Sequence, residues 1–148
     1  MRLISNTHSS FRGLQDDEHG FSNINLVLGN NGDGKTSLLE SIYVSMLGTP
    51  LNSFARAGRE LSRNKEGLFS SESKAIDHLG NTTTYKFSST NSGRKHLTDD
   101  KKTTIRDAYL STPVCLIDSK IEKIASESPD YRRKLIDRSA FHVEPEHA

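Results

Sequence analysis

The sequence has a single cysteine, Cys115, no tryptophan, and aromatic residues at only 7% of its 148 positions. One thiol excludes an intramolecular disulfide and suits a reducing compartment such as the cytoplasm. Cys115 itself reads as a small buried hydrophobe rather than a reactive thiol. An excess of one charge is also missing. Twenty basic and 19 acidic residues leave a net charge of +1, so any DNA surface must be a local patch. No apolar run approaches membrane-spanning length, and Met1 to Thr7 lacks the apolar core of a signal peptide. The expectation is a soluble, cytoplasmic chain with no membrane partner. Hydrophobic residues make up 32%, which is lean for an α/β sheet covered on both faces. Internal repeats are absent. The length fits one domain or part of a larger one.

What is present is one stretch, Gly29-Asn30-Asn31-Gly32-Asp33-Gly34-Lys35-Thr36. It fits G-x-x-x-x-G-K-[ST], the phosphate-binding P-loop. Glycines let the backbone curl so that successive N–H groups make an anion nest. Lys35 is the residue to reach the β- and γ-phosphates and to act in catalysis. The Thr36 hydroxyl is the expected Mg²⁺ ligand, and Ser37 completes the set around ATP. The motif needs a strand before it and a helix after it. Ile24-Asn25-Leu26-Val27-Leu28 reads as a buried strand. Thr36 to Leu47 carries Leu38, Leu39, Ile42, Tyr43, Met46 and Leu47 at helical spacing, ended by Gly48 and Pro50. The helix N-terminus then faces the phosphates.

Elsewhere the patterns are weaker. Residues 2–12 read as a first strand, Asp16 to Gly20 as a solvated turn, and Phe21 to Leu28 as the return of a hairpin into the P-loop. Segment 68–97 is expected to be β-rich, with strands at Leu68–Ala75 and Thr82–Ser89 and with Tyr85 and Phe87 on one face. A turn is expected at Asn91 to Lys95, and a mobile loop over 88–104. Thr98 reads as the N-cap of a short polar helix to Leu110. Val114 to Ile117 reads as a buried strand. Segment 119–141 reads as helical, with Ser128-Pro129-Asp130 as a helix start.

Several stretches together resemble the N-terminal part of the RecF family, ATPases related to SMC and ABC-type heads. Phe11-Arg12 sits where that family has Asn-Phe-Arg. The run from Asn25 to Tyr43 is similar to its Asn-Leu-Leu-Val-Gly-x-Asn-Gly-x-Gly-Lys-Thr-x-Leu-Leu-Glu-Ala-Ile-Tyr. Ser53-Phe54-Ala55-Arg56 is similar to its Ser-Phe-Arg, and Ser128 to Asp137 to its Gly-x-Pro-x-x-Arg-Arg-x-Phe-Leu-Asp. The resemblance spans nearly all of the chain. It implies an α/β P-loop head of ABC/SMC type, a mixed sheet with helices, binding ATP and Mg²⁺ and dimerising around the nucleotide. It also implies double-stranded or gapped DNA as a ligand, RecR and RecO as partners in loading RecA, and a place in DNA replication, recombinational repair and the SOS response. Residues 1–148 then read as the first part of such a head, truncated before the signature motif and Walker B. Leu61-Ser62-Arg63-Asn64 is the nearest string to a signature and lacks its glycine. Without the catalytic Glu, very slow hydrolysis or none is expected.

Other features carry rival readings. Val114 to Asp118 has the form of a Walker B strand, which would make an autonomous small P-loop kinase or NTPase with Asp118 near the metal; the other reading is the end of a buried strand. A third alternative is a non-enzymatic, incomplete head. Arg12 is a candidate for nucleotide phosphate or a solvated turn residue. Arg132, Arg133 and Arg138, and likewise Arg56, Arg59, Arg63 and Lys65, are DNA-backbone candidates or plain solvated faces. His142 and His147 have the wrong spacing for a helical metal pair.

Overall fold

The computed structural model describes residues 1–51 and 59–117, together with Pro129 and Arg133. Segment 53–56, Asp118, the helical segment at 119–141 apart from Pro129 and Arg133, and the two C-terminal histidines lie outside the described residues. The chain forms strands β1 (Arg2–Ser9) and β2 (Asp17–Gly20), helix α1 (Lys35–Leu47), strands β3 (Phe69–Ile76), β4 (Thr82–Thr90), β5 (Gly93–Thr98) and β6 (Lys101–Lys102), and helix α2 (Ile105–Ser111). The strands make one sheet in the order β2-β1-β3-β4-β5-β6. Each of these pairings is antiparallel.

Alternation decides which face of the sheet receives α1. On β3, Phe69, Ser71, Ser73 and Ala75 are buried, and on β4 Tyr85, Phe87 and Ser89. The shared face of Tyr85 and Phe87 is as expected. Two apolar clusters sit under the helix. One joins Phe11, Val44, Leu61, Phe69 and Phe87, with Leu14 at its margin. Its rings meet edge to face at 5.4 Å (Phe11 and Phe69) and stacked at 5.9 Å (Phe69 and Phe87). The other joins Tyr43, Met46, Leu47, Ala75 and Tyr85, with Tyr109, Val114 and Leu116 against it. Each fully buried large side chain contributes about 1.5–3 kcal/mol.

Between the clusters the helix–sheet contact is polar. Asn6 Nδ2 donates to Ser71 Oγ, Glu72 O and Ser73 Oγ at 3.0–3.2 Å. Ser41 Oγ donates to Asn6 Oδ1 at 2.8 Å, Ser71 Oγ to Ser41 O at 2.8 Å, and Ser45 Oγ meets Ser73 Oγ at 2.6 Å. Small hydroxyl side chains on both elements let the backbones approach while every hydroxyl in this set finds a partner.

Several expectations change. Asp17–Gly20 is a strand rather than a turn, paired through Asn6↔His19 and Thr7↔Glu18. The stretch 88–104 holds the end of β4, all of β5 and β6, because Thr90↔Gly93 through Tyr85↔Thr98 form a continuous ladder. Thr98 ends β5 and caps no helix. Asp99 and Asp100 both take positive φ, 48° and 62°. Two left-handed residues in succession suit a tight hairpin, and Asp tolerates that region. The helix starts later, at Thr104, whose Oγ1 accepts from Asp107 N at 3.1 Å and donates to Asp107 Oδ2 at 2.6 Å. Val114–Ile117 is not a strand, and Ile117 is 71% exposed. No described strand pairs with that run, so its backbone has no ladder to join. Cys115 is exposed, against the expectation of burial. The sheet's edges are guarded: β6 is two exposed lysines and β2 is short and acidic, both unfavourable for edge pairing. Among the described residues, no helix is long and apolar enough to cross a membrane.

Two buried imidazoles make stability depend on pH. His96 is packed beside Phe87, donates from Nε2 to Ser45 O at 3.0 Å, and leaves Nδ1 buried without a partner. Burial pulls its pKa below the ordinary 6.5, outweighing the Ser45 bond. Burial likewise lowers His8, helped by His19 stacked 5.3 Å away and opposed by the bond to Gln15 and by Asp16 and Asp17. The unfolded chain therefore binds more protons just below 6.5, and stability falls as pH drops through that range. Asp16, held down to about 2 first by the Ser10 N–H and next by Ser9, loses its contribution only as pH falls below 3.8. Urea midpoints measured from about pH 7.5 to about pH 5.5 should decline, and should decline less in His96→Gln. A flat profile would contradict this.

Candidate nucleotide site

The P-loop joins the exposed segment after β2 to the first turn of α1. Gly32 and Gly34 have φ of +96° and +92°, a region other residues enter only with strain. At Gly34 space is short as well, since a Cβ there would lie 2.6 Å from Leu14 Cδ2. These two glycines turn the chain into the helix without a side-chain cap. Gly34 occupies the N-cap position, no side chain accepts from the first turn, and that turn contains no acid. The first N–H groups of α1 are thus open toward an anion, where the helix dipole also favours one.

Lys35 Nζ donates to Gly29 O and Asn30 O, both at 2.7 Å. Its ammonium is therefore held over the loop. No described carboxylate lies within ion-pair distance of it. Thr36 is exposed at the start of α1, with Ser37 half-buried beside it. Asn31 is exposed in the loop, and Asp33 bridges back to Asn30. The structure thus brings Gly29 through Ser37 together as one loop and helix start, as the spacing predicts.

Arg12 is brought to the same helix by the segment after β1. Phe11 bridges to Ser62, and Arg12 N donates to Leu61 O at 2.7 Å. The Arg12 side chain then forms an ion pair with Glu40, Nε to Oε2 at 2.5 Å; Glu40 is 2% exposed, and neither Arg12 Nε nor Glu40 Oε1 makes a hydrogen bond. Arg12 is thus neither a solvated turn residue nor free: it is tied to α1 just over one turn beyond Lys35. Sequence reasoning missed Glu40. The available signal was a carboxylate set among the apolar positions of the helix.

The expected strand before the P-loop is the main correction. Residues 24–28 form no strand, and Ile24, Leu26 and Leu28 are 92%, 81% and 79% exposed. A buried strand requires neighbours on its edges and faces, and none of the described strands lies alongside this one. Arg63 is also more specific than a solvated basic face. Its guanidinium donates to Leu14 O and pairs with Asp16 Oδ1, tying the segment after β1 to the loop before β3. Arg59 and Lys65 are exposed, whereas Arg56, Arg132, Arg138 and Asp118 fall outside the described residues. The run Val114–Ile117 does not supply a Walker B strand.

The AAA domain family matches residues 8–141 of the chain. The chain belongs to that family. Within it the likeness is to RecF. The chain is 33% identical over 150 residues to the DNA replication and repair protein RecF of Anaeromyxobacter sp. (strain Fw109-5), covering 98% of this chain and 39% of that protein. It is also 33% identical over 144 residues to RecF of Geotalea daltonii, covering 95% and 38%. A solved structure of the recombination mediator protein RecF with ATP, from the RecFOR pathway, superimposes with a TM-score of 0.84 at 20% identity, over 98% of this chain and 39% of that one. The fold is therefore that of the matched part of the RecF structure. The chain spans about two fifths of the length of these relatives.

Proposed function

We propose that this chain is the nucleotide-binding portion of a RecF-type DNA replication and repair protein. It binds ATP and Mg²⁺ through the backbone of Gly29, Asn30, Asn31, Gly32, Asp33 and Gly34 and through Lys35, Thr36 and Ser37. The observation that carries this reading is the uncapped start of α1 behind a loop with two left-handed glycines, with Lys35 held over it by Gly29 and Asn30. The Thr36 hydroxyl would hold Mg²⁺, which neutralises phosphate charge. Lys35 would stabilise charge on the γ-phosphoryl group, an electrostatic role with no covalent step. Arg12, fixed by Glu40, would contribute a further positive charge from the β1 side. Under the same reading the chain works in the cytoplasm on double-stranded or gapped DNA. Its partners are RecR and RecO in assisting RecA, its context is recombinational repair and the SOS response, and a second copy docks when ATP is bound. This rests on likeness to proteins named for DNA replication and repair.

Calorimetry with MgATP tests the core of the reading, on the chain and on Lys35→Ala, with circular dichroism on the same samples. Losing one charge-assisted contact to phosphate should weaken binding by about 2 kcal/mol, roughly thirtyfold, while the folded signal is kept. Equal affinity in both proteins, or no saturable binding by folded wild type, would refute it.

A further inference from the structure

The P-loop carries its own anion. Asn30 N donates to Asp33 Oδ2 at 2.5 Å, and Asp33 N donates back to Asn30 O at 3.2 Å. The carboxylate lies against the backbone of the loop: a Cβ built on Gly29 would meet Asp33 Oδ2 at 3.0 Å. No cation neutralises it among the described residues, since Lys35 is held by the Gly29 and Asn30 carbonyls instead. The loop proposed to receive a triphosphate thus holds an uncompensated negative charge on one of its own N–H groups.

We propose that Asp33 is an internal competitor for this loop, which occupies the Asn30 N–H, repels the phosphates and so sets a low affinity for nucleotide. This rests on the nucleotide reading above. A simple loop-closing role would use only the hydrogen bond, for which a neutral acceptor suffices. The charge adds repulsion against a polyanion a few ångströms away, and that repulsion is screened by salt because the site is exposed. Free ATP, with more negative charge than MgATP, should feel it more.

The test is calorimetry of ATP, with and without Mg²⁺, on the full chain and on Asp33→Asn, Asp33→Ala and Lys35→Ala. Titrations run at about 0.05 M and about 0.5 M salt, with circular dichroism confirming the fold. Asparagine keeps an acceptor for Asn30 N–H and removes only the charge. The expected result is affinity about tenfold tighter in both Asp33 variants at low salt, a larger gain for free ATP than for MgATP, and a gain that shrinks at high salt. Wild-type binding that depends on Lys35 but is unchanged by Asp33→Asn, or weakened by Asp33→Ala, would overturn the inference and leave the nucleotide reading intact. An absence of binding in every folded protein would overturn both.

Discussion

Arg12→Ala is expected to destabilise the chain by about 3 kcal/mol, near the lower end of the range for breaking a buried ion pair. The cost arises at the partner. Glu40 is 2% exposed and pairs through Oε2, and its Oε1 already lacks a hydrogen bond. Removing the guanidinium leaves a buried carboxylate on α1 with no counter-charge among the described residues. The Arg12 side chain is itself 32% exposed, so solvent screens part of the attraction and the upper end of the range does not apply. Glu40→Gln should cost less, because the amide carries no charge to strand. The combined change Arg12→Met with Glu40→Leu should come back toward wild type, since apolar replacement of a buried pair is often neutral. Urea titrations of wild type, Arg12→Met, Glu40→Leu and the combined change close a double-mutant cycle and give the coupling energy. A coupling below about 1 kcal/mol would show that the pair is ornamental to the fold.

That pair also marks where the sequence was legible. The loop's geometry was legible, because the motif constrains residue type at fixed spacing: Gly32 and Gly34 have positive φ, and Lys35 is held over the loop. Strands β3 and β4 were legible because alternation is local, and their bounds move by only a residue from those expected. The failures share a cause. Ile24–Leu28 and Val114–Ile117 are apolar runs that read as strands. A strand, however, exists through its neighbours, and among the described residues neither run has one. Thr98 and Thr104 are both plausible caps. What separates them is that Asp99 and Asp100 turn left-handed to let β6 pair with β5, a long-range demand that composition does not show. Ser71 and Ser73 are fully buried although polar, because α1 brings its own serines to meet them.

Those serines depend on Asn6, and Asn6→Leu is the second change expected to be severe, about 3 kcal/mol or more. Leucine matches the amide in approximate bulk and removes all of its polar atoms. Ser41 Oγ loses an acceptor, although Leu38 O at 2.8 Å still takes its proton. The Ser71 and Ser73 hydroxyls lose a donor each, and Glu72 O loses one of its partners. Each buried polar group left short of a partner costs about 1–3 kcal/mol, and these groups lie within one helix–sheet contact. The neighbouring exposed residue provides the control: Thr7→Ala points away from α1 and should change stability by less than about 0.5 kcal/mol. The consequence should reach the loop. Asn6 fastens β1 and β3 to α1 through Ser41, less than two turns from Lys35, so the helix start proposed to face the phosphates is positioned partly by this amide. Asn6→Leu should therefore weaken MgATP binding even at a temperature where circular dichroism shows the chain still folded. Arg12→Met with Glu40→Leu, if it restores stability but not affinity, would separate the charge Arg12 offers the nucleotide from its role in the fold. A stability loss under about 1 kcal/mol for Asn6→Leu would mean that the serines re-pair among themselves and that the polar seam is held by the helix–sheet contact alone.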